Sequence, residues 1–150
     1  MSDIEKVFFD ILRSALWGTP IQIPHKVDWG AVMKLAHTQA LTGLVGDVLL
    51  TRSEIRSHIP IKLVERLQNI PAANIGTHRQ INMTLQMLVL ALRKEGVEPV
   101  LLKGQGLARY YRVPELRQCG DIDLYVGEEN YEKTYDALLP IVSKIDDRAK

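Results

Sequence analysis

The chain has 150 residues, 46% of them apolar, with 19 Lys and Arg against 18 Asp and Glu for a formal charge of +1. That length and apolar content suit one folded domain, or a helical lobe with a small α/β unit, and exclude a disordered chain. The near-balanced charge excludes a general electrostatic drive toward nucleic acid or acidic membranes, so anion binding must come from a local cluster; the single cysteine, Cys119, excludes an internal disulfide and fits a reducing compartment.

The N-terminus intersperses Asp3, Glu5, Lys6, Asp10 and Arg13 with apolar residues, which is unlike a secretory leader. Ser2 or Asp3 can cap a first helix in which Ile4, Val7, Phe8, Ile11 and Leu12 recur at helical spacing. After a loop through Gly18, Pro20 and Pro24, Asp28 is positioned to cap a second helix from Trp29 to about His37. A third helix is expected from about Ala40 to Leu50, and a fourth from Ile61 to Gln68 behind Pro60. The longest helical pattern runs from about Ala73 to Glu95, with a stripe of Ile81, Leu85, Leu88 and Leu92 and with Gly96 just past its end. No apolar stretch approaches the roughly 20 residues needed to cross a bilayer, so the expected location is the cytoplasm, away from membranes.

After Gly96 the texture changes. Val97 to Leu102 is a short apolar run with Pro99 near its start, and it reads as a buried strand. Lys103-Gly104-Gln105-Gly106 ends it, and a helix through Arg112 follows. A loop from Pro114 to Gly120 leads to a second strand, Asp121-Ile122-Asp123-Leu124-Tyr125-Val126, and Glu128 to Leu139 forms a last helix. On an extended strand, residues two apart share a face, so Asp121 and Asp123 point one way while Ile122, Leu124 and Val126 point toward a core. Adjacent carboxylates repel unless a cation neutralises them, and Mg²⁺ prefers such oxygen ligands. The strand, Gly turn and helix around Lys103-Gly104 offer backbone N–H groups and a lysine to a phosphate; a plain turn with a solvated lysine fits the same residues. A phosphate cradle beside a carboxylate pair suits phosphoryl or nucleotidyl transfer.

The run Val100-Leu101-Leu102-Lys103-Gly104, followed by Leu107-Ala108, Tyr110-Tyr111, Pro114, Arg117 and Asp121-Ile122-Asp123-Leu124, resembles the signature of bacterial nucleotidyltransferase-like proteins of the DNA polymerase beta superfamily. Trp29, Leu35-Ala36-His37 and Gly43-Leu44 agree more loosely. The resemblance is specific over about residues 97–139. It implies an α+β, mostly α, fold: an N-terminal helical bundle over residues 1–95, then a small mixed-sheet nucleotidyltransferase core over residues 96–150. It also implies Mg²⁺ and a nucleoside triphosphate (NTP), whose nucleotidyl group passes to the hydroxyl of an unidentified acceptor. Asp121 and Asp123 are then the catalytic metal ligands. Gly104 belongs to the triphosphate turn, with Lys103 and Gln105 beside it. Arg117, the cation closest in sequence to the Asp pair, is a candidate phosphate clamp.

Two departures stand out. Gly104-Gln105 occupies a position where the superfamily has Gly-Ser or Gly-Gly. The superfamily's third carboxylate comes from a later strand, and here Ile141 to Ile145 is the only candidate start of one; Asp146 and Asp147 lack apolar strand context, and Asp136 falls within a helix. The expected core is therefore incomplete at its C-terminus, through truncation or degeneracy, and a two-metal site requires a third carboxylate from elsewhere. The alternative function is a catalytically inactive member that binds a nucleotide or a partner protein. A helix-turn-helix spacing from Met33 to Leu50 contains only Lys34 as a cation, against Asp47, too little charge to hold DNA. His25, His37, His58 and His78 show no metal-ligand spacing.

Overall fold

The computed structural model describes residues 1–142 and divides the chain into two compact units. The first comprises residues 1–76 and 108–118, and the second comprises residues 77–107 and the described chain from Cys119 onward. No helix among the described residues is long and apolar enough to cross a membrane.

In the first unit, α1 (Asp3–Trp17) starts at Ser2, whose Oγ accepts the Glu5 N–H at 3.3 Å while Glu5 Oε2 accepts the Ser2 N–H at 2.7 Å. This reciprocal capping box satisfies two backbone donors at the open helix end. Helix α2 (Trp29–Thr38) is capped by Asp28, whose Oδ1 accepts the Ala31 N–H at 3.0 Å. It closes through Ala40, which takes φ 54° and donates to the His37 carbonyl at 3.0 Å while Leu41 donates to that of Ala36 at 2.8 Å. That closure is why α3 (Thr42–Thr51) begins two residues later than the sequence pattern suggests. A single turn, α4 (Ser53–Arg56), is too short to show a period and is not expected from sequence; α5 (Ile61–Gln68) matches its expected bounds.

Helix α3 is the centre of this unit, with α1, α2, α4 and α5 all packed against it. It buries Gly43, Val45, Gly46, Val48 and Leu49, and a helix apolar nearly all round belongs in an interior. Its glycines set the contact distance. A Cβ on Gly43 would run into the carbonyl oxygen of Leu116, and one on Gly46 would lie 2.9 Å from Leu67 Cδ2. Leu116 is the buried residue of a short 3₁₀ turn, Pro114–Leu116, that lies on α3. Two polar ties hold the same stretch: the Arg112 guanidinium forms a two-point pair with the Asp47 carboxylate of α3, and Asn74 Nδ2 donates to the Glu115 carbonyl at 2.8 Å.

Helix α6 (Ile70–Lys94) begins in the first unit and continues into the second. Its end is a Schellman closure, with Gly96 N–H donating to Arg93 at 3.1 Å and Val97 N–H to Leu92 at 3.0 Å; the Leu92 and Val97 side chains are fully buried. Two strands follow, β1 (Val100–Leu101) and β2 (Leu124–Tyr125), paired antiparallel with Val100 opposite Tyr125 and Leu101 opposite Leu124. Between them lies α7 (Gln105–Ala108), and after them a 3₁₀ turn, Glu128–Asn130, leads into α8 (Tyr131–Leu138).

The α+β, mostly helical class is as expected, and most differences are of length and burial. The apolar run from Val97 yields only two strand residues, because Val97 is spent on closing α6. That strand is not buried: Val100 is 56% and Leu102 61% exposed, since β2 is its sole partner among the described residues. The helix expected through Arg112 stops at Ala108, where the chain passes to the first unit. Most of the candidate strand Ile141–Ile145, with Asp146 and Asp147, lies outside the described residues.

The two kinds of glycine make opposite predictions. Gly43→Ala should destabilise the protein by about 1–3 kcal/mol through overpacking against Leu116. Gly76, inside α6 with nothing within 4 Å of its Cβ position, should gain about 0.5–1 kcal/mol as Gly76→Ala. Urea unfolding midpoints of the two variants check both signs.

Candidate functional site

The antiparallel register of β1 and β2 places the residues just after β1 opposite those just before β2. One further bond, from Leu102 N–H to the Asp123 carbonyl at 3.0 Å, extends this pairing beyond the strands proper. Lys103 and Gly104 are thereby set against Asp121–Asp123, eighteen residues away in sequence. Gly104 takes φ +64°, a left-handed conformation natural to glycine, and a Cβ there would stand 3.2 Å from the Asp121 carbonyl oxygen. Close approach and backbone conformation both favour glycine at this turn.

The two carboxylates share a face, as the alternation of an extended segment demands, and both reach the Lys103 ammonium. Nζ lies 3.3 Å from Asp121 Oδ2, to which it donates a hydrogen bond, and 3.2 Å from Asp123 Oδ2. The second contact is electrostatic without being a directed hydrogen bond. Asp123 Oδ2 is buried and faces the Lys103 ammonium. Asp123 is also the less exposed of the pair, 33% against 68% for the Asp121 side chain. Asp123 first, and then Asp121, hold the Lys103 ammonium above the usual lysine range. The local charge sums to about −1, which leaves the cluster attractive to further positive charge.

The other residues singled out by sequence have different neighbours. Gln105 sits in the same unit, with Nε2 donating to the His78 carbonyl at 3.4 Å and Oε1 4.0 Å from Cys119 Sγ, so its amide is oriented by residues 27 and 14 positions away. Nothing in sequence links these three. Arg117 belongs to the stretch that packs with the first unit, and its Nη1 donates to the Gln118 carbonyl at 3.2 Å. Arg112 is held by Asp47, and the Arg109 guanidinium lies 4.9 Å from the centre of the exposed Tyr110 ring.

Among the described residues no group of three or more His, Cys, Asp or Glu side chains could enclose a metal. Two carboxylates converging on one cation position nevertheless fit Mg²⁺. This ion commonly takes one or two protein carboxylates and completes its shell with water and substrate phosphate.

Residues 25–140 match the model of a family described as uncharacterised nucleotidyltransferase, and the chain belongs to that family. No curated protein and no solved structure matches it.

The raised pKa of Lys103 fixes the sign of its effect on stability. The contribution is complete below the ordinary lysine value of 10.5 and is lost as pH rises through the higher folded value. In metal-free buffer, ¹³C NMR of the Lys103 Cε should show a titration above that of an unpaired lysine. The Asp121→Asn plus Asp123→Asn variant should bring it back to the ordinary range.

Proposed function

We propose that this chain is a nucleotidyltransferase that uses Mg²⁺ to pass a nucleotidyl group from an NTP to an acceptor hydroxyl, acting in the cytoplasm. The observation that carries this reading is the convergence of Asp121 and Asp123 on one cation position beside the Gly104 turn, in a chain of a nucleotidyltransferase family. Asp121 and Asp123 would hold the metal. When bound, such an ion neutralises charge on the triphosphate and on the attacking oxygen.

The residues of the second unit then divide the work. Asp123, less exposed, is the anchoring ligand; Asp121, more exposed, is the one able to follow a ligand in and out. Lys103 is a mobile counter-charge that offsets half the charge of the pair in the absence of metal and turns to phosphate oxygens when a nucleotide arrives. Gly104 lets the Asp121 segment approach the turn, and Gln105 stiffens the turn through His78 and Cys119. In the transfer the acceptor oxygen bonds to the α-phosphorus, the bond to the bridging oxygen breaks and pyrophosphate leaves. The acceptor proton goes to a base outside this pair.

Isothermal titration should show NTP binding that requires Mg²⁺ or Mn²⁺ and weakens at least tenfold in Asp121→Asn plus Asp123→Asn. Absence of metal-dependent binding by every NTP would remove the proposal. Lys103→Ala should split the two ligands: Mn²⁺ alone binds more tightly, because a competing ammonium is gone, while the metal–NTP complex binds more weakly, because a phosphate contact is gone.

A further inference from the structure

A second site lies wholly within the helical unit. Helices α2 and α5 both rest on α3, and between them a groove of about 590 Å³ is left open. That volume is in the range of small-molecule sites. Its apolar walls are Trp29 and Met33 of α2 and Leu63 and Leu67 of α5, spaced four residues apart on each helix so that each pair lines one face. The Trp29 indole is fixed by its N–H, which donates to the His58 carbonyl at 2.9 Å, making a rigid aromatic wall rather than a mobile cover.

The charged side chains of the lining have one sign, and His37 and Thr42 are its other polar residues. Lys34 comes from α2 and Lys62 and Arg66 from α5, so the cations flank the groove from both sides. None of the three is in an ion pair among the described residues, although the chain as a whole is nearly neutral. Among the described residues, no Asp, Glu, Asn or Gln lines the groove. Three cations converging on apolar walls, with no counter-charge among the described residues, are not matched by a neutral hydrophobe. The charge is also too little and too local for a nucleic-acid backbone.

We propose that this groove binds a small organic anion: a flat apolar body between Trp29, Met33, Leu63 and Leu67, with a phosphate or carboxylate held by Lys62 and Arg66 and by Lys34 opposite. Arginine's planar fork suits either headgroup, and the apolar body supplies the affinity that an exposed cation lacks. The site is independent of the Asp121 and Asp123 pair, and its ligand binds without metal.

The test uses the full chain and three probes: 1-naphthyl phosphate, 1-naphthol and inorganic phosphate. Binding is followed by calorimetry and by the indole N–H resonance of Trp29, identified by its persistence in Trp17→Phe, which leaves Trp29 as the only tryptophan. Naphthyl phosphate is expected to bind at least tenfold more tightly than either fragment and to shift the Trp29 resonance. Lys62→Ala plus Arg66→Ala, both exposed positions, should weaken it at least tenfold, and Asp121→Asn plus Asp123→Asn should leave it unchanged. The proposal is overturned if naphthol binds as well as naphthyl phosphate, if the Trp29 resonance stays still, or if the Lys62 and Arg66 variant retains full affinity. Stronger movement of Trp29 by ATP than by naphthyl phosphate overturns the apolar-body assignment. Because the Asp variant separates the two sites, failure here leaves the nucleotidyl-transfer reading intact, and the reverse also holds.

Discussion

The close approach permitted by the glycines of α3 is the constraint on which the first unit depends. With no side chain at Gly43 and Gly46, the backbone around Leu116 and the Leu67 side chain can reach the helix surface itself. Four helices and the Pro114–Leu116 turn then share one short helix as a floor. Dense packing around α3 also explains what is left empty. Two helices that each lean on a third leave an open channel between them, and here α2 and α5 line it with apolar residues and with cations that form no ion pair among the described residues.

The same contact has a consequence for the stretch that connects the Gly104 turn to the Asp pair. Residues 108–118 are tied to the helical unit by Leu116 on α3, by Arg112 with Asp47 and by Asn74 with Glu115. That part of the connection is thus anchored within the helical unit rather than free. What aligns those ends is a ladder of only two residue pairs plus one further bond from Leu102 to Asp123. Charge completes the alignment: an ammonium between two carboxylates opposes their mutual repulsion.

Much of this was legible in the sequence wherever a signal was local. The Ser2 and Asp28 caps, the bounds of α5 and the closure at Gly96 all depend on residues within a few positions of one another. The shared face of Asp121 and Asp123 follows from the two-residue period of extended backbone. Reading stopped where partners were distant. Lys103, assigned from sequence to a phosphate, stands against both carboxylates, because the antiparallel register brings together residues eighteen and twenty positions apart. Gln105 finds His78 and Cys119 in the same way, and Arg112, one of several cations near the motif, has its partner on α3.

By itself, then, the sequence determined the helical character, the position of most elements, the carboxylate pair and the glycine turn. These are properties of spacing along one chain. Only the tertiary structure decided which cation stands against the pair, that β1 is exposed rather than buried, and that α2 and α5 form a cation-lined groove. Each of those depends on distances between segments remote in sequence. Such distances are set by how closely backbones can pack and by strand register, and neither is encoded in any single stretch of residues.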